Sequence, residues 1–250
     1  MNKKRPQILI TNDDGYAAKG LRKLVTLMRT LGDVTLVSTD EVMSAKSHSC
    51  TIRERLYVRL VHEEDGFKEY RCNGTPVDCV KLGYQKLMPE PPDLLVSGIN
   101  HGMNAATTVV YSGTIGAVIE ACMNGLTAIG FSLFSLNPDA DFDHVDTAVL
   151  EITKKVLKEG LPQGVCLNVN FPNAARNLSR ASRCAVRQPA AGWSCLRTNM
   201  MRTARSTMTW KVPFRVTTSC LIPTCGPCST TMSRWCLHAS TGRRTAILNR

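Results

Sequence analysis

Two periods of apolar and polar residues alternate along the first 172 positions. Short apolar or β-branched runs of strand length stand at Gln7 to Thr11, Val34 to Ser38, Asp93 to Ser97, Ala128 to Leu133 and Val165 to Asn170, most of them stopped by Asn, Asp or Gly. Between them the spacing turns helical. Leu21, Leu24, Val25, Leu27 and Met28 mark a helix from about Ala18 to Thr30, ending near Gly32. Thr75-Pro76-Val77-Asp78 combines an N-cap hydroxyl, a proline at the first helical position and an acid in the first turn, so a helix runs from there to about Leu87 and stops at Pro89, Pro91 and Pro92. Tyr111-Ser112-Gly113-Thr114 opens a third helix, whose Gly116, Ala117 and Ala121 suit close packing on a sheet, and Asp143 to Glu159 forms a fourth, closed by Gly160. Thr51 to Val61 alternates as a strand with Ile52, Leu56, Val58 and Leu60 on one face, and Glu63-Glu64-Asp65-Gly66 turns it into Phe67 to Cys72. Strand, helix and strand joined by short loops build a parallel sheet with right-handed crossovers. The expected fold is an α/β, three-layer, Rossmann-like domain with a mostly parallel sheet, covering residues 1–172.

Charge changes this picture only for the rest of the chain. The net charge of +11 invites a nucleic-acid reading, yet residues 1–159 carry all 20 acids and 18 of the 31 basic residues. Residues 160–250 carry the other 13 basic residues and no acid, so the basicity belongs to the tail and not to a face of the domain. Five of the 11 cysteines, Cys50, Cys72, Cys79, Cys122 and Cys166, are scattered singly, as small buried hydrophobes would be, and no disulfide framework is expected. No apolar run reaches the roughly 18 residues of a membrane span, and Met1 to Pro6 leads straight into a strand. A cytoplasmic enzyme is expected, with no membrane partner.

The chemistry collects at one edge of the sheet. Asp13 and Asp14 follow the first strand, at the end where ligands bind in open α/β sheets. Two adjacent carboxylates need a counter-charge, and hard cations such as Mg²⁺ or Mn²⁺ favour oxygen ligands. Asn12-Asp13-Asp14-Gly15 is also sound turn chemistry without any ligand. Ser44, in the polar loop Thr39 to Ser49, and Asn100, after the strand beginning near Asp93, leave the same edge. Carboxylates, a hydroxyl and an amide oxygen suit Mg²⁺, Mn²⁺ or Ca²⁺ and are poor for zinc. Beside them Ser112, Gly113 and Thr114 set hydroxyls and free N–H groups at a helix N-terminus, a ready phosphate site. A cation next to a phosphate site is the layout of a metal-assisted phosphohydrolase. Taken singly, Ser44 is a loop serine, Ser112 and Thr114 are caps, and Asn100 and Asn104 are turn residues; their convergence carries the reading.

Ile-Thr-Asn-Asp-Asp-Gly at 10–15, the Ser44 loop, Asn-Gly-Thr-Pro-Val-Asp-Cys-Val at 73–80, Ser-Gly-Ile-Asn-His-Gly-Met-Asn at 97–104 and Tyr-Ser-Gly-Thr at 111–114 together resemble the SurE family of 5′/3′-nucleotidases. The resemblance covers about Gln7 to Pro172, with five motifs in order. It implies a divalent metal held at Asp13, Asp14, Ser44 and Asn100, with Asp13 the catalytic residue closest to the chemistry. It also implies phosphate contacts at Asn104, Ser112, Gly113 and Thr114, hydrolysis of nucleoside monophosphates to nucleoside and phosphate, and a homodimer or tetramer. Ser38-Thr39 stand where the family has Ala-Pro, Ala45 where it has Gly, and Lys19 where it often has Pro.

After Asn173 the resemblance ends, and the family's Lys-Gly-Ile-Lys-Val strand and β-arms are not recognisable. Joining the last base of each codon to the first two of the next turns Met200-Met201 and Met208-Thr209 into Asp and Trp210-Lys211 into Glu; permissible codons let Ser179 to Gln188 read Lys-Gly-Ile-Lys-Val-Cys-Arg-Gln-Ala. The tail is therefore compatible with a change of reading frame between about Asn173 and Arg176. On that reading Cys225-Gly226-Pro227-Cys228, the set Cys220, Cys225, Cys228, Cys236 and His238, and the basic arm are accidents and not redox, zinc or nucleic-acid sites. Residues 173–250 are expected to be an aberrant, disordered basic tail, which makes the family's oligomer doubtful. Two rival functions follow, a nucleotide-binding remnant without catalysis and a nucleic-acid binder acting through the tail.

Overall fold

The computed structural model describes residues 4–135, 137, 139–173, 207–211 and 216–221. A central sheet carries the architecture. Its strands are β1 (Gln7–Thr11), β2 (Asp33–Thr39), β3 (Val58–Glu64), β4 (Phe67–Cys72), β5 (Leu94–His101), β6 (Ala128–Phe134), β7 (Cys166–Pro172), β8 (Thr207–Lys211) and β9 (Val216–Leu221), in the order β3-β4-β2-β1-β5-β6-β7-β9-β8. Only β3 with β4 and β8 with β9 run antiparallel. The other pairings are parallel, as repeated strand–helix–strand connections demand. The expected α/β, mostly parallel sheet is the fold observed. The expectation for the tail falls, apart from the backbone of β8 and β9, outside the described residues.

The helices are α1 (Lys19–Arg29), α2 (Pro76–Leu82), α3 (Thr108–Tyr111), α4 (Gly113–Met123) and α5 (Asp146–Glu159). Strand period 2 sorts the sheet into two apolar faces. Ile8 and Ile10 pack with Leu21, Leu24 and Met28 of α1 and with Val149 and Val156 of α5, whereas Leu9 turns the other way, toward Cys79 and Val80 of α2 and Ala117, Val118 and Ala121 of α4. A strand buried on both faces must be apolar throughout, which is why β1 reads as an unbroken run. Each such side chain contributes about 1.5–3 kcal/mol when fully buried.

Several expected elements are corrected. Thr51 to Tyr57 is loop and the strand begins at Val58; Ile52 and Leu60 are exposed, and only Leu56 and Val58 of the alternating set reach the core, partly buried against it. The 75–87 helix has its capping box, with the Thr75 hydroxyl accepting from the Asp78 N–H, but only Pro76–Leu82 is α-helical. Gly83–Leu87 continues as a π-turn, with Gly83 pressed on Leu9, where a Cβ would come within 2.7 Å of a methyl carbon. The segment Gly98 to His101 is not a loop but the end of β5, which breaks register against β6 after Ser97 and regains it at Asn100 opposite Ser132. Gly98 permits this with φ at +124°, where a Cβ would sit 2.3 Å from the Phe131 carbonyl oxygen. Gly116 faces the 44–49 loop and not the sheet. Cys50 is exposed, while Cys72, Cys79, Cys122 and Cys166 are buried, and all five are free thiols. Among the described residues no helix is long and apolar enough to cross a membrane.

Helix α1 touches β5 through Gly20, where a Cβ would lie 2.1 Å from the carbonyl oxygen of Ile99. Gly20→Ala is expected to lower stability by about 1–3 kcal/mol, as overpacking against backbone does, measured as a lower urea midpoint at unchanged slope.

Candidate metal and phosphate site

The ends of β1 and β5 meet the N-terminus of α4. Asp13, next but one after β1, is 3% exposed; its Oδ1 accepts the Thr114 hydroxyl at 2.6 Å and its Oδ2 the Thr114 N–H at 3.1 Å. Gly113 makes this approach possible, since a Cβ there would stand 2.9 Å from the Cβ of Asp13. The α4 N-terminus thus points its positive end at a buried carboxylate. Burial, and after it the charge of Asp14, still push the Asp13 carboxyl up to about 6, against the opposing pull of the two Thr114 bonds.

Asp14 accepts the His101 N–H at 3.0 Å, with His101 Nδ1 at 3.6 Å from the same Oδ2. Among the described residues no lysine or arginine pairs with either carboxylate. Asn100 donates through Nδ2 to the carbonyls of His101 and Gly102 at 3.1 and 2.9 Å, which orients its amide so that Oδ1 accepts the Thr114 hydroxyl at 3.3 Å. Ser44 follows Met43, whose N–H donates to the Asp13 carbonyl at 2.7 Å, so the loop is fastened to the end of β1 just before the serine.

These groups border a cleft of about 200 Å³ lined in part by Asp13, Ser44, Asn100, Asn104 and Ser112. Asp14 stands behind this wall on His101. Gly113 and Thr114 do not line it, and the Thr114 hydroxyl and N–H are spent on Asp13. Ser112 caps α4 by accepting the Ile115 N–H at 3.1 Å. Asn104 is buried and held by several hydrogen bonds. Its N–H donates to Asn170 Oδ1 at 2.7 Å, its Nδ2 to the Ser132 hydroxyl at 2.9 Å, and its carbonyl accepts from Asn168 and Asn170 at 2.8 and 3.1 Å. Asn168 and Asn170 were not anticipated; two fully buried asparagines two apart in an apolar strand are the signal that could have found them, since buried amides need partners. His101, Thr108 and Tyr111 also line the cleft without having been singled out. His101 and Tyr111 adjoin the predicted Asn100 and Ser112, whereas Thr108 stands apart from any predicted residue and is brought to the cleft by the fold.

The donor set suits a hard divalent cation. Two carboxylates without a lysine or arginine partner among the described residues, an oriented amide oxygen and a loop hydroxyl gather at one sheet edge, and the Thr114 bonds compensate the desolvated Asp13 carboxylate only in part. Together the parallel sheet and this cluster define an α/β protein with its polar site at the carboxyl edge of the strands, next to the topological switch between β2 and β5 on either side of β1. The model of the family described as Survival protein SurE matches residues 8–191. The chain belongs to the SurE family. It is 50% identical over 174 residues to the 5′-nucleotidase SurE of Christiangramia forsetii, covering 69% of this chain and 67% of that one. It is 45% identical over 190 residues to the protein of the same name from Cytophaga hutchinsonii, covering 76% and 73%. The SurE protein of Aquifex aeolicus, known from a crystal structure, superposes with a TM-score of 0.63 at 30% identity, over 86% of this chain and 81% of that one.

Two expectations follow for the chain in chelator. Folded Asp13 keeps its proton to about pH 6, whereas the unfolded carboxyl loses it near 3.8. The raised carboxyl therefore takes stability away as pH rises between those values, and the loss is complete above the higher one. Asp13→Asn should remove roughly 3 kcal/mol of pH-dependent loss between those values, so that the variant gains on the parent as pH rises from about 4 to 7, on top of a constant cost from setting an amide NH2 where Oδ2 accepted the Thr114 N–H; urea unfolding at the two pH values reads the difference. Ala45 holds φ at +61°, so the departure from Gly costs the loop left-handed strain; Ala45→Gly should raise the melting temperature slightly, by the equivalent of about 1 kcal/mol or less.

Proposed function

We propose that this chain hydrolyses nucleoside monophosphates to nucleoside and inorganic phosphate, and that Mg²⁺ or Mn²⁺ is its cofactor. The observation that carries the reading is the Asp13 carboxylate. It is buried at the end of β1, raised to about 6, and has no cationic side chain beside it among the described residues. Such a group takes up positive charge readily. The names of the relatives, 5′-nucleotidase SurE, support the same substrate class.

In this reading Asp13, Asp14, Ser44 and Asn100 hold the cation. When bound, it would supply positive charge to phosphoryl oxygens and acidify a water. Thr114 orients Asp13 with its hydroxyl and N–H, and by donating to Asn100 as well it keeps the two ligand side chains in one fixed relation. Ser112, through its hydroxyl proton, and Asn104, through the Nδ2 hydrogen that Ser132 leaves over, line the cleft to take phosphate oxygens, while the N-terminal end of α4 at Gly113 and Thr114 acts through its dipole and not by direct contact. The buried Asn168–Asn170 pair fixes Asn104, so the phosphate-facing side is prearranged. Residues 1–172 form the catalytic unit.

Phosphate release from 5′-AMP by the purified chain should require Mn²⁺ or Mg²⁺, stop on chelation, and fall by at least about 10²-fold in Asp13→Asn. Metal-dependent release undiminished in Asp13→Asn would refute the site, and no release with either cation would refute the activity.

A further inference from the structure

The loop that carries Ser44 is bent and tied down more firmly than a surface loop needs. Ala45 and Ser47 both hold left-handed backbone, with φ at +61° and +57°. For non-glycine residues that conformation is strained and persists only where contacts impose it. Those contacts lead to α3 and α4. The Ser47 N–H donates to the Tyr111 carbonyl at 3.0 Å, and its hydroxyl donates to the Val110 carbonyl at 2.6 Å. A Cβ at Gly116 would lie 2.5 Å from the Ser47 carbonyl oxygen, so the loop backbone rests directly on the helix. One residue further, His48 Nε2 lies 2.8 Å from Glu120 Oε2.

Glu120 is an unusual partner. It is 7% exposed, on the third turn of α4, and its other oxygen, Oε1, accepts from Asn124 Nδ2 at 2.9 Å and faces Lys81 Nζ at 3.6 Å. The carboxylate is thus fixed by its own helix and by α2, and presents Oε2 to the loop. The far end of the loop is held as well. The Thr51 N–H and hydroxyl both donate to the buried Asp78 carboxylate, and the Thr75 hydroxyl donates to the Ser49 carbonyl at 2.7 Å. The same α4 that fixes Asp13 through Thr114 therefore also fixes, through Glu120, the loop that bears Ser44.

We propose that His48 is a positioning residue for the metal site: its bond to Glu120 holds the strained 44–48 loop so that Ser44 stands opposite Asp13. The inference rests on Ser44 being a ligand of the cation. It differs from a structural bond in what its loss does. Without the imidazole the remaining anchors keep the fold, while the segment around Ser44 relaxes toward ordinary backbone angles and the ligand is displaced.

The test is a calorimetric titration of the full chain with Mn²⁺, alongside thermal melting in chelator. His48→Ala should weaken Mn²⁺ binding roughly tenfold, the range seen when a group behind a metal ligand is removed. Its melting temperature in chelator should stay within about 2 °C of the parent. Turnover should recover when Mn²⁺ is raised to saturation. His48→Gln, whose amide can still donate to Glu120, should regain most of the affinity. Mn²⁺ binding in His48→Ala equal to the parent overturns the proposal, and so does a loss that Gln does not repair or that accompanies a large fall in melting temperature. Failure of the parent chain to bind Mn²⁺ overturns the metal reading and this inference with it, and is told apart because no variant is then needed.

Discussion

The structure turns on a carboxylate buried where the first strand meets the fourth helix. Asp13 is nearly without solvent, bound twice by Thr114, and close to a second negative charge. A buried anion in that setting is unfavourable unless something positive compensates it. The helix N-terminus supplies part of that compensation, and the carboxyl nevertheless remains well above its ordinary range. The remainder is what the proposed cation would compensate, so on that reading the residue that weakens the fold in chelator is the one that would draw the cation. Stability and function are set against each other at one atom group, as is common where a site is prearranged for charge.

Around that carboxylate, one helix does most of the organising. Thr114 links Asp13 to Asn100; Ser112 caps the same helix and faces the cleft; Glu120, two turns on, receives His48 from the loop of Ser44. Small residues at 113 and 116 let the Asp13 side chain and the Ser47 backbone come against the helix. The consequence is a site whose parts, drawn from strand ends and a loop, are referred to a single rigid element. Another part of the lining is built differently, from amides: Asn104 closed in by Asn168, Asn170 and Ser132. The cleft thus combines a buried carboxylate with fixed neutral hydrogen-bonding groups.

Departures from the family pattern fall at the margins of this arrangement. Lys19 stands at the exposed start of α1 and pairs with Asp139. Ser38 and Thr39 end β2 as buried polar residues, with Thr39 accepting the Tyr16 N–H through its carbonyl at 3.1 Å. Ala45 is the departure with a structural consequence, because it carries left-handed backbone that Gly would adopt freely. The His48 bond matters more in this chain for that reason: the loop has less intrinsic preference for its own shape and depends more on what it is tied to.

Sequence alone determined the alternation of strands and helices, the parallel sheet and the edge at which Asp13, Asp14, Ser44 and Asn100 collect, because periodicity and caps are local and strand ends in such sheets all face one way. It also determined the buried character of β1, since a strand covered on both faces has no polar position to spare. Tertiary structure decided the rest. Thr51 to Tyr57 alternates but is loop, with Leu56 against the core and Ile52 exposed, and nothing local distinguishes that from a strand. Gly98 to His101 reads as a glycine loop, yet Asn100 and His101 pair with β6 after a break in register, because pairing is a property of the neighbour. Thr114, expected to touch phosphate, spends its hydrogen bonds on Asp13, and His48, an unremarked loop histidine, meets Glu120 across 72 positions of chain. Such contacts depend on distance in space, which spacing along a chain does not encode until the sheet has brought its edges together.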